Sequence, residues 1–261
     1  MKLEVLISAM DQEDMSLFEK TNIQTDAVMI NQAGITDYSE KELNGHKLRM
    51  YTIADRGLSK SRNTAISQAS GDICLLCDDD ERLCDNYGEI IKAAYGKYTD
   101  ADVIAFIVDI QGKTYKKKDR KLNRLGILKI SSVQITFKRQ SILNNNLRFN
   151  EQFGAGTEFC FGEENIFLTD CLKSGLKIYY FAQKIGAAAQ VRSTWNSGYH
   201  REYFLNRGII TRYYLGKFLS ALYAFYFIIF KFSLYKEDIS PMSAVRNLLK
   251  GIYSKNIVRP K

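Results

Sequence analysis

Residues 72–85 read Asp72-Ile73-Cys74-Leu75-Leu76-Cys77-Asp78-Asp79-Asp80-Glu81-Arg82-Leu83-Cys84-Asp85. The apolar run Ile73–Cys77 is bounded by Gly71 on one side and by three consecutive carboxylates on the other. That pattern predicts a strand buried on both faces, with concentrated negative charge at its carboxyl end. In open α/β sheets ligands bind beyond the carboxyl ends of the strands, so this edge suits a hard divalent cation and the phosphates it bridges.

Working outward, Leu3–Ile7 running into Ser8-Ala9-Met10 predicts a first parallel strand, followed by a loop at 11–14 and a helical turn within Met15–Asn22. Ala27–Ile30 and Lys47–Ile53 predict two more strands. Ser59 reads as the N-cap of a helix whose stripe, Leu58, Ala65, Ile66 and Ala69, ends at Gly71. Arg56, Lys60 and Arg62 flank the free N–H groups of that helix start, which suits a diphosphate, although on local sequence alone an ordinary surface helix with basic residues is the favoured reading. Downstream, Asn86–Tyr98 reads as a helix, and Val103–Val108, Ser132–Lys138 and Leu176–Phe181 as strands, the second of these half-exposed. A basic run, Lys113–Lys129, carries eight Lys/Arg against Asp119 alone and predicts a solvated, mobile loop or hairpin; contact with an anionic acceptor is the lesser reading. A glycine-punctuated loop, Phe149–Thr157, precedes Gly162-Glu163-Glu164-Asn165, where helical periodicity begins. Strands alternating with helices imply a doubly wound sheet.

Composition narrows the chemistry. With 261 residues and 46% hydrophobic content the chain forms one α/β domain plus an extension. Five cysteines without a signal-peptide pattern at Met1-Lys2-Leu3-Glu4 predict reduced thiols in the cytoplasm. Cys74 and Cys77, three apart on a strand, face opposite sides and read as core rather than as a zinc or redox pair. His46 and His200 are the only histidines, so a metal site is built from carboxylates and takes Mg2+ or Mn2+. Residues 201–261 hold 11 Lys/Arg and 3 Asp/Glu, which accounts for the whole net charge of +8.

Four features stand in order: a strand-first N-terminus, Arg56-Gly57-Leu58-Ser59-Lys60-Ser61-Arg62-Asn63, the strand ending Asp78-Asp79-Asp80, and Gly162-Glu163-Glu164. Together they resemble a family 2 glycosyltransferase of the GT-A fold, of the kind that builds bacterial surface polysaccharides. The resemblance spans about residues 3–190. It implies an α/β, Rossmann-like mixed sheet flanked by helices, and a metal-dependent, inverting, non-processive transfer of one sugar. The donor it implies is a nucleotide-diphosphate sugar, a UDP-sugar in the first place, and the acceptor a saccharide or polyprenyl-linked saccharide. It places Asp78 and Asp79 on the donor, Asp80 with Asp78 on the metal, and Arg62 on the donor phosphates. Glu164 becomes the catalytic base, with Glu163 in reserve. Ser8 and Met10 stand where the family has an aromatic contact to the base, and Asn31 where it reads uracil with an aspartate. Gln190-Val191-Arg192-Ser193-Thr194-Trp195 departs from the Gln-x-x-Arg-Trp signature of processive synthases.

The tail has its own reading. Phe218–Leu234 is apolar nearly all round, and the uncharged interval between Lys217 and Lys231 is 13 residues, short of the roughly 20 needed to span a bilayer. Flanked by Arg207, Arg212, Lys217, Lys231 and Lys236, it suits an anionic membrane surface, placing the protein peripherally on the inner face of the plasma membrane. Packing on the catalytic domain or in a homodimer is the competing role, and nucleic acid is disfavoured by so much continuous apolar surface. The chain thus divides at 1–205 (catalytic) and 206–261 (helical extension). Other classes fit less well. A nucleotidyltransferase wants a glycine-rich loop where Ser8–Asp14 has no glycine, and an aspartyl-nucleophile phosphatase wants its Asp-x-Asp-x-Thr after the first strand. A non-catalytic scaffold would not need acidic motifs at both sites.

Overall fold

The computed structural model describes residues 1–157, 159–189 and 198–254; the Gln190–Trp195 departure lies outside them. In chain order the strands are β1 (Leu3–Met10), β2 (Asp26–Gln32), β3 (Asp37–Leu43), β4 (His46–Ile53), β5 (Ile73–Asp78), β6 (Glu81–Leu83), β7 (Val103–Ile110), β8 (Arg120–Lys121), β9 (Ile135–Lys138) and β10 (Ile178–Ala188). The helices are α1 (Leu17–Lys20), α2 (Leu58–Gln68), α3 (Tyr87–Lys97), α4 (Arg139–Asn144), α5 (Glu163–Lys173), α6 (Arg201–Phe230), α7 (Phe232–Tyr235) and α8 (Pro241–Ile252). One mixed sheet runs β3-β4-β2-β1-β5-β9-β7-β10-β6, with β8 on β10.

Period-two alternation builds two core layers from the same strands. Val5, Ile7, Ile73, Leu75 and Cys77 face a layer with α3, whereas Leu6, Cys74 and Leu76 face one with α2 and α5. Cys74 and Cys77 therefore lie in opposite layers, both buried, and all five cysteines are free thiols. β4, β2, β1 and β5 are mutually parallel, which brings the carboxyl ends of β1, β2 and β5 to one edge. The mixed sheet with its flanking helices is the GT-A architecture.

Several local expectations give way to tertiary context. Gly57, at φ 127°, caps α2, and Ser59 lies buried inside its first turn. Ser132–Gln134 is a 3-10 turn rather than strand, and β9 is central: Ile135, Thr136 and Phe137 are all buried between β5 and β7. Its polar member is satisfied there, since Thr136 Oγ1 donates to Ile104 O at 2.9 Å. The basic run is partly structured, containing β8 and a 3-10 turn at Ile127–Lys129. The hairpin β3–β4, unforeseen, turns on Asn44 and Gly45, both at positive φ (52° and 75°), the pairing a tight hairpin demands.

The chain resolves into two units. The first is the sheet and its helices, up to Glu151 and again from Glu163. The second comprises Gln152–Gly162 with α6, α7 and α8, so the loop before Glu163 belongs with the helices. The division expected at 205/206 falls inside α6. Helices α6 and α8 cross with backbone against backbone: a Cβ on Gly208 would strike Leu248 O, and one on Gly251 would strike Leu205 O. Around that crossing Phe204, Phe227, Tyr235, Ala244, Leu248 and Ile252 form a separate core. By length and composition α6 could cross a membrane, but its backbone breaks at Gly216 (φ 75°, ψ 176°).

Candidate active site

Strand β5 delivers Asp78 to the sheet edge, and Asp79 and Asp80 turn the chain into β6. From the first turns of α2, Arg62 reaches the same edge. Only 1% exposed, its guanidinium donates to Asp78 Oδ1 at 3.0 Å and to Glu163 Oε1 at 2.8 Å. It also lies 5.5 Å from the ring of Phe149, which stacks on Phe167 of α5. A buried cation requires partners, and here both are carboxylates from distant parts of the chain. The neighbouring Asn63 Nδ2 donates to Phe149 O and Glu151 Oε1, both at 2.9 Å. The Arg62-Asn63 pair thereby fixes the segment that leads toward α5.

Glu163 and Glu164 open α5, where negative charge is favoured by the helix dipole. Glu163 is buried on Arg62. Burial, then the adjacent Glu163 charge, pushes Glu164 up to about 8, far above an ordinary carboxyl. Lys113 lies near enough for its charge to be felt by Glu164; its ammonium donates to Ser131 Oγ (2.6 Å) and Gln134 Oε1 (3.0 Å), and burial lowers it. This member of the basic run is built into the structure rather than left in a mobile loop.

Asp79 and Asp80 are exposed at the turn. Loss of solvation, followed by the charge of Asp78, raises Asp79; the same causes, with Asp79 added, raise Asp80 to about 6. Among the described residues no three His, Cys, Asp or Glu side chains surround a common point. Two crowded hard-oxygen donors nevertheless fit Mg2+ or Mn2+, which commonly take one or two carboxylates and complete their shell from substrate phosphates and water.

The remaining predicted residues stand at the same carboxyl edge, Ser8 opposite Asp78 in the β1–β5 register and Asn31 opposite Ala9 in the β1–β2 register. Ser8 is buried, and its Oγ accepts from the Ser61 hydroxyl at 2.9 Å. Met10 is exposed at the end of β1, and its backbone N–H donates to the Asp79 carboxylate. Asn31 is buried with its amide engaged: Oδ1 accepts from Gln12 N–H and Nδ2 donates to Gln12 O, each at 2.9 Å. It shapes the 11–14 loop, which lines a cavity of about 310 Å³ with Ile35, Asp37, Met50 and Thr52.

Glu81 is the residue that sequence reasoning missed. It is 3% exposed; its Oε2 accepts the Asp78 N–H at 2.9 Å, while Oε1 is buried without a hydrogen-bond partner among the described residues. Burial, then the charge of Asp78, raises it well above the carboxylate range. A fourth acid after three reads as more surface charge, and only the pairing of Glu81 with Ala188 in the β6–β10 ladder shows that it enters the sheet.

The site thus sets acids at the end of β5 and at the start of α5 of a GT-A sheet. Residues 5–162 match the profile of glycosyl transferase family 2, and the chain belongs to that family. Among solved structures it is similar to residues 1–349 of S. aureus TarS in complex with UDP-GlcNAc, with a TM-score of 0.63 and 15% identity over 91% of this chain and 74% of that one. The same fragment with UDP gives a TM-score of 0.64 and 14% identity over 97% and 81%. Against the longer TarS chain the match covers 45% of that protein's length. A search of curated proteins returns no match.

Proposed function

We propose that this glycosyltransferase moves one sugar per binding event from a nucleoside-diphosphate sugar, a UDP-sugar, to a hydroxyl of a saccharide or polyprenyl-linked saccharide in bacterial surface-polysaccharide synthesis, with inversion at the anomeric carbon. The observation that carries the reading is Arg62, which ties the acidic end of β5 to the acidic start of α5. It supports the reading by holding Asp78 and Glu163, one from each acidic group, on a single guanidinium. The UDP and UDP-GlcNAc complexes of the S. aureus protein support the donor class.

In this reading Glu164 takes the proton from the acceptor hydroxyl as that oxygen attacks the anomeric carbon from the face opposite the diphosphate. Glu163, fixed by Arg62, holds the turn in place and raises the proton affinity of Glu164 through its own charge. Asp78 and Asp79 contact the donor, and Asp80 with Asp78 would hold the divalent ion. When bound, that ion supplies charge stabilisation to the departing diphosphate. Arg62 is assigned to organising the two acids rather than to touching the phosphates, because its guanidinium is buried between them. The cavity beside β2 and β4 is a suitable place for the nucleoside; there Asn31 shapes the loop instead of reading the base.

Peripheral membrane association is supported by the second half of α6. Residues 217–230 extend about 21 Å at 1.5 Å per residue, less than the roughly 30 Å of a bilayer core. Phe218, Leu222, Phe225 and Ile229, spaced as one stripe, are exposed, whereas Ser220, Ala224 and Phe227 are buried on the other side. Lys217, Lys231 and Lys236 bracket the stripe, the arrangement of a helix lying in an anionic headgroup layer.

A screen of nucleotide sugars for metal-dependent hydrolysis and thermal stabilisation tests the enzyme class and names the donor. One UDP-sugar stabilised and hydrolysed above the rest is the expected result; stabilisation by none refutes the donor assignment.

A further inference from the structure

Strand β5 loses one of its two neighbours before it ends: pairing with β9 stops at Leu75, while pairing with β1 continues to Asp78. The last stretch of β5 therefore has a strand on one side only, and a side chain serves the Asp78 N–H. Glu81 Oε2 accepts that N–H at 2.9 Å from the far side of the turn. The Asp78 carbonyl is engaged as well, accepting from the Cys77 thiol at 3.4 Å.

Two further anchors hold the turn between Asp78 and Glu81. Ala189 N–H donates to Asp80 O at 3.0 Å, extending the β6–β10 ladder in which Glu81 stands opposite Ala188. The Met10 N–H at the end of β1 donates to the Asp79 carboxylate. These act on Asp79 and Asp80 and leave the Asp78 N–H to Glu81. A buried carboxylate is a costly means of accepting one N–H. Glu81 is 3% exposed, and its Oε1 has no hydrogen-bond partner among the described residues, so part of its hydrogen-bonding capacity works against stability. A leucine would fill the space without that cost. Standing beside acids assigned to the donor and the ion, such a side chain serves the site more than the fold.

We infer that Glu81 is a positioning residue for donor and metal binding: by accepting the Asp78 N–H it sets the backbone from which Asp78, Asp79 and Asp80 reach the nucleotide and its divalent ion. The inference rests on those three acids forming the donor and metal site. Groups that hydrogen-bond behind metal-holding carboxylates are worth about tenfold to a hundredfold in metal affinity. The role belongs to the acceptor oxygen and not to the charge, so an amide can fill it.

The test compares Glu81→Leu, Glu81→Gln and the parent in the full chain, with UDP titrated by calorimetry in the presence of Mn2+ and again in EDTA. Glu81→Leu is expected to weaken UDP binding about tenfold with Mn2+ and to leave it unchanged in EDTA. Its thermal midpoint should stay within about 3 °C of the parent's, since loss of the unpartnered carboxylate offsets the lost hydrogen bond. Glu81→Gln, which keeps an acceptor oxygen, is expected to bind within about threefold of the parent. Hydrogen–deuterium exchange should quicken in a peptide spanning the β5–β6 turn in Glu81→Leu alone. Unchanged Mn2+-dependent binding or unchanged exchange in Glu81→Leu, an equal loss in Glu81→Gln, or a loss that follows a falling thermal midpoint each overturn the inference. If the parent binds no nucleotide, the functional reading fails, and the exchange comparison alone decides the positioning role.

Discussion

Arg62 Nη1 lies 2.8 Å from Glu163 Oε1, a contact between α2 and α5 across 101 residues of chain. Both side chains are buried, and removing Arg62 leaves the Glu163 charge uncompensated in the interior, whereas Arg62 keeps Asp78 if Glu163 is removed.

Arg62→Met is therefore expected to cost about 3–5 kcal/mol, because Glu163 and Asp78 lose their common partner together. Adding Glu163→Gln to Arg62→Met should recover part of that loss, since the orphaned charge goes with it. Chemical denaturation of the two variants and the parent measures both. A loss below about 1 kcal/mol would show the pair to be dispensable.

Glu164→Gln is expected to lose at least about a hundredfold in turnover while keeping donor affinity, the usual contribution of a general base. Single-turnover kinetics with calorimetric donor binding separates the two quantities. Near-normal turnover moves the base elsewhere.

The proton affinity of Glu164 makes a pH profile informative. With its pKa at about 8, the base is mostly protonated at pH 7 and gains its reactive, ionised form as the pH rises. Log kcat/KM is expected to climb with a slope of one until about pH 8 and then to level off, and Glu164→Gln should flatten the climb. A profile already flat from pH 6 to 9 contradicts the assignment.

Asp80→Ala is expected to abolish the metal dependence of donor binding while leaving the fold intact, since Asp80 is exposed and pairs with no cation among the described residues. Titrating the nucleotide with and without a chelator, in parent and variant, gives the answer. Nucleotide binding by the parent that ignores chelation removes the metal role.

Much of the sheet was legible because parallel strands buried on both faces leave continuous apolar runs, as Ile73–Cys77 does. The hairpin strand Asp37–Leu43 was not, since it is an exposed edge with three acids and one lysine and no apolar face to mark it. At the site, the acids of β5 and α5 stand out as charge at the ends of apolar segments. Their link through Arg62 does not, because a buried arginine looks in sequence like any other basic residue on a helix start. Glu81 was missed because its burial depends on the Asp78 N–H and on the β6–β10 ladder, neither of which its place after three acids announces. The membership of Gln152–Gly162 in the helical unit depends on rings met only in three dimensions, such as Phe161 on Tyr203.

The crossing at Gly208 and Gly251 leaves room for no side chain at either position. In a collection of related chains, these two columns should admit little beyond glycine, while Phe218, Leu222 and Phe225 drift freely among apolar types. The distance between α6 and α8 would then be among the slowest-changing features of the lineage, inherited through two residues that touch no substrate.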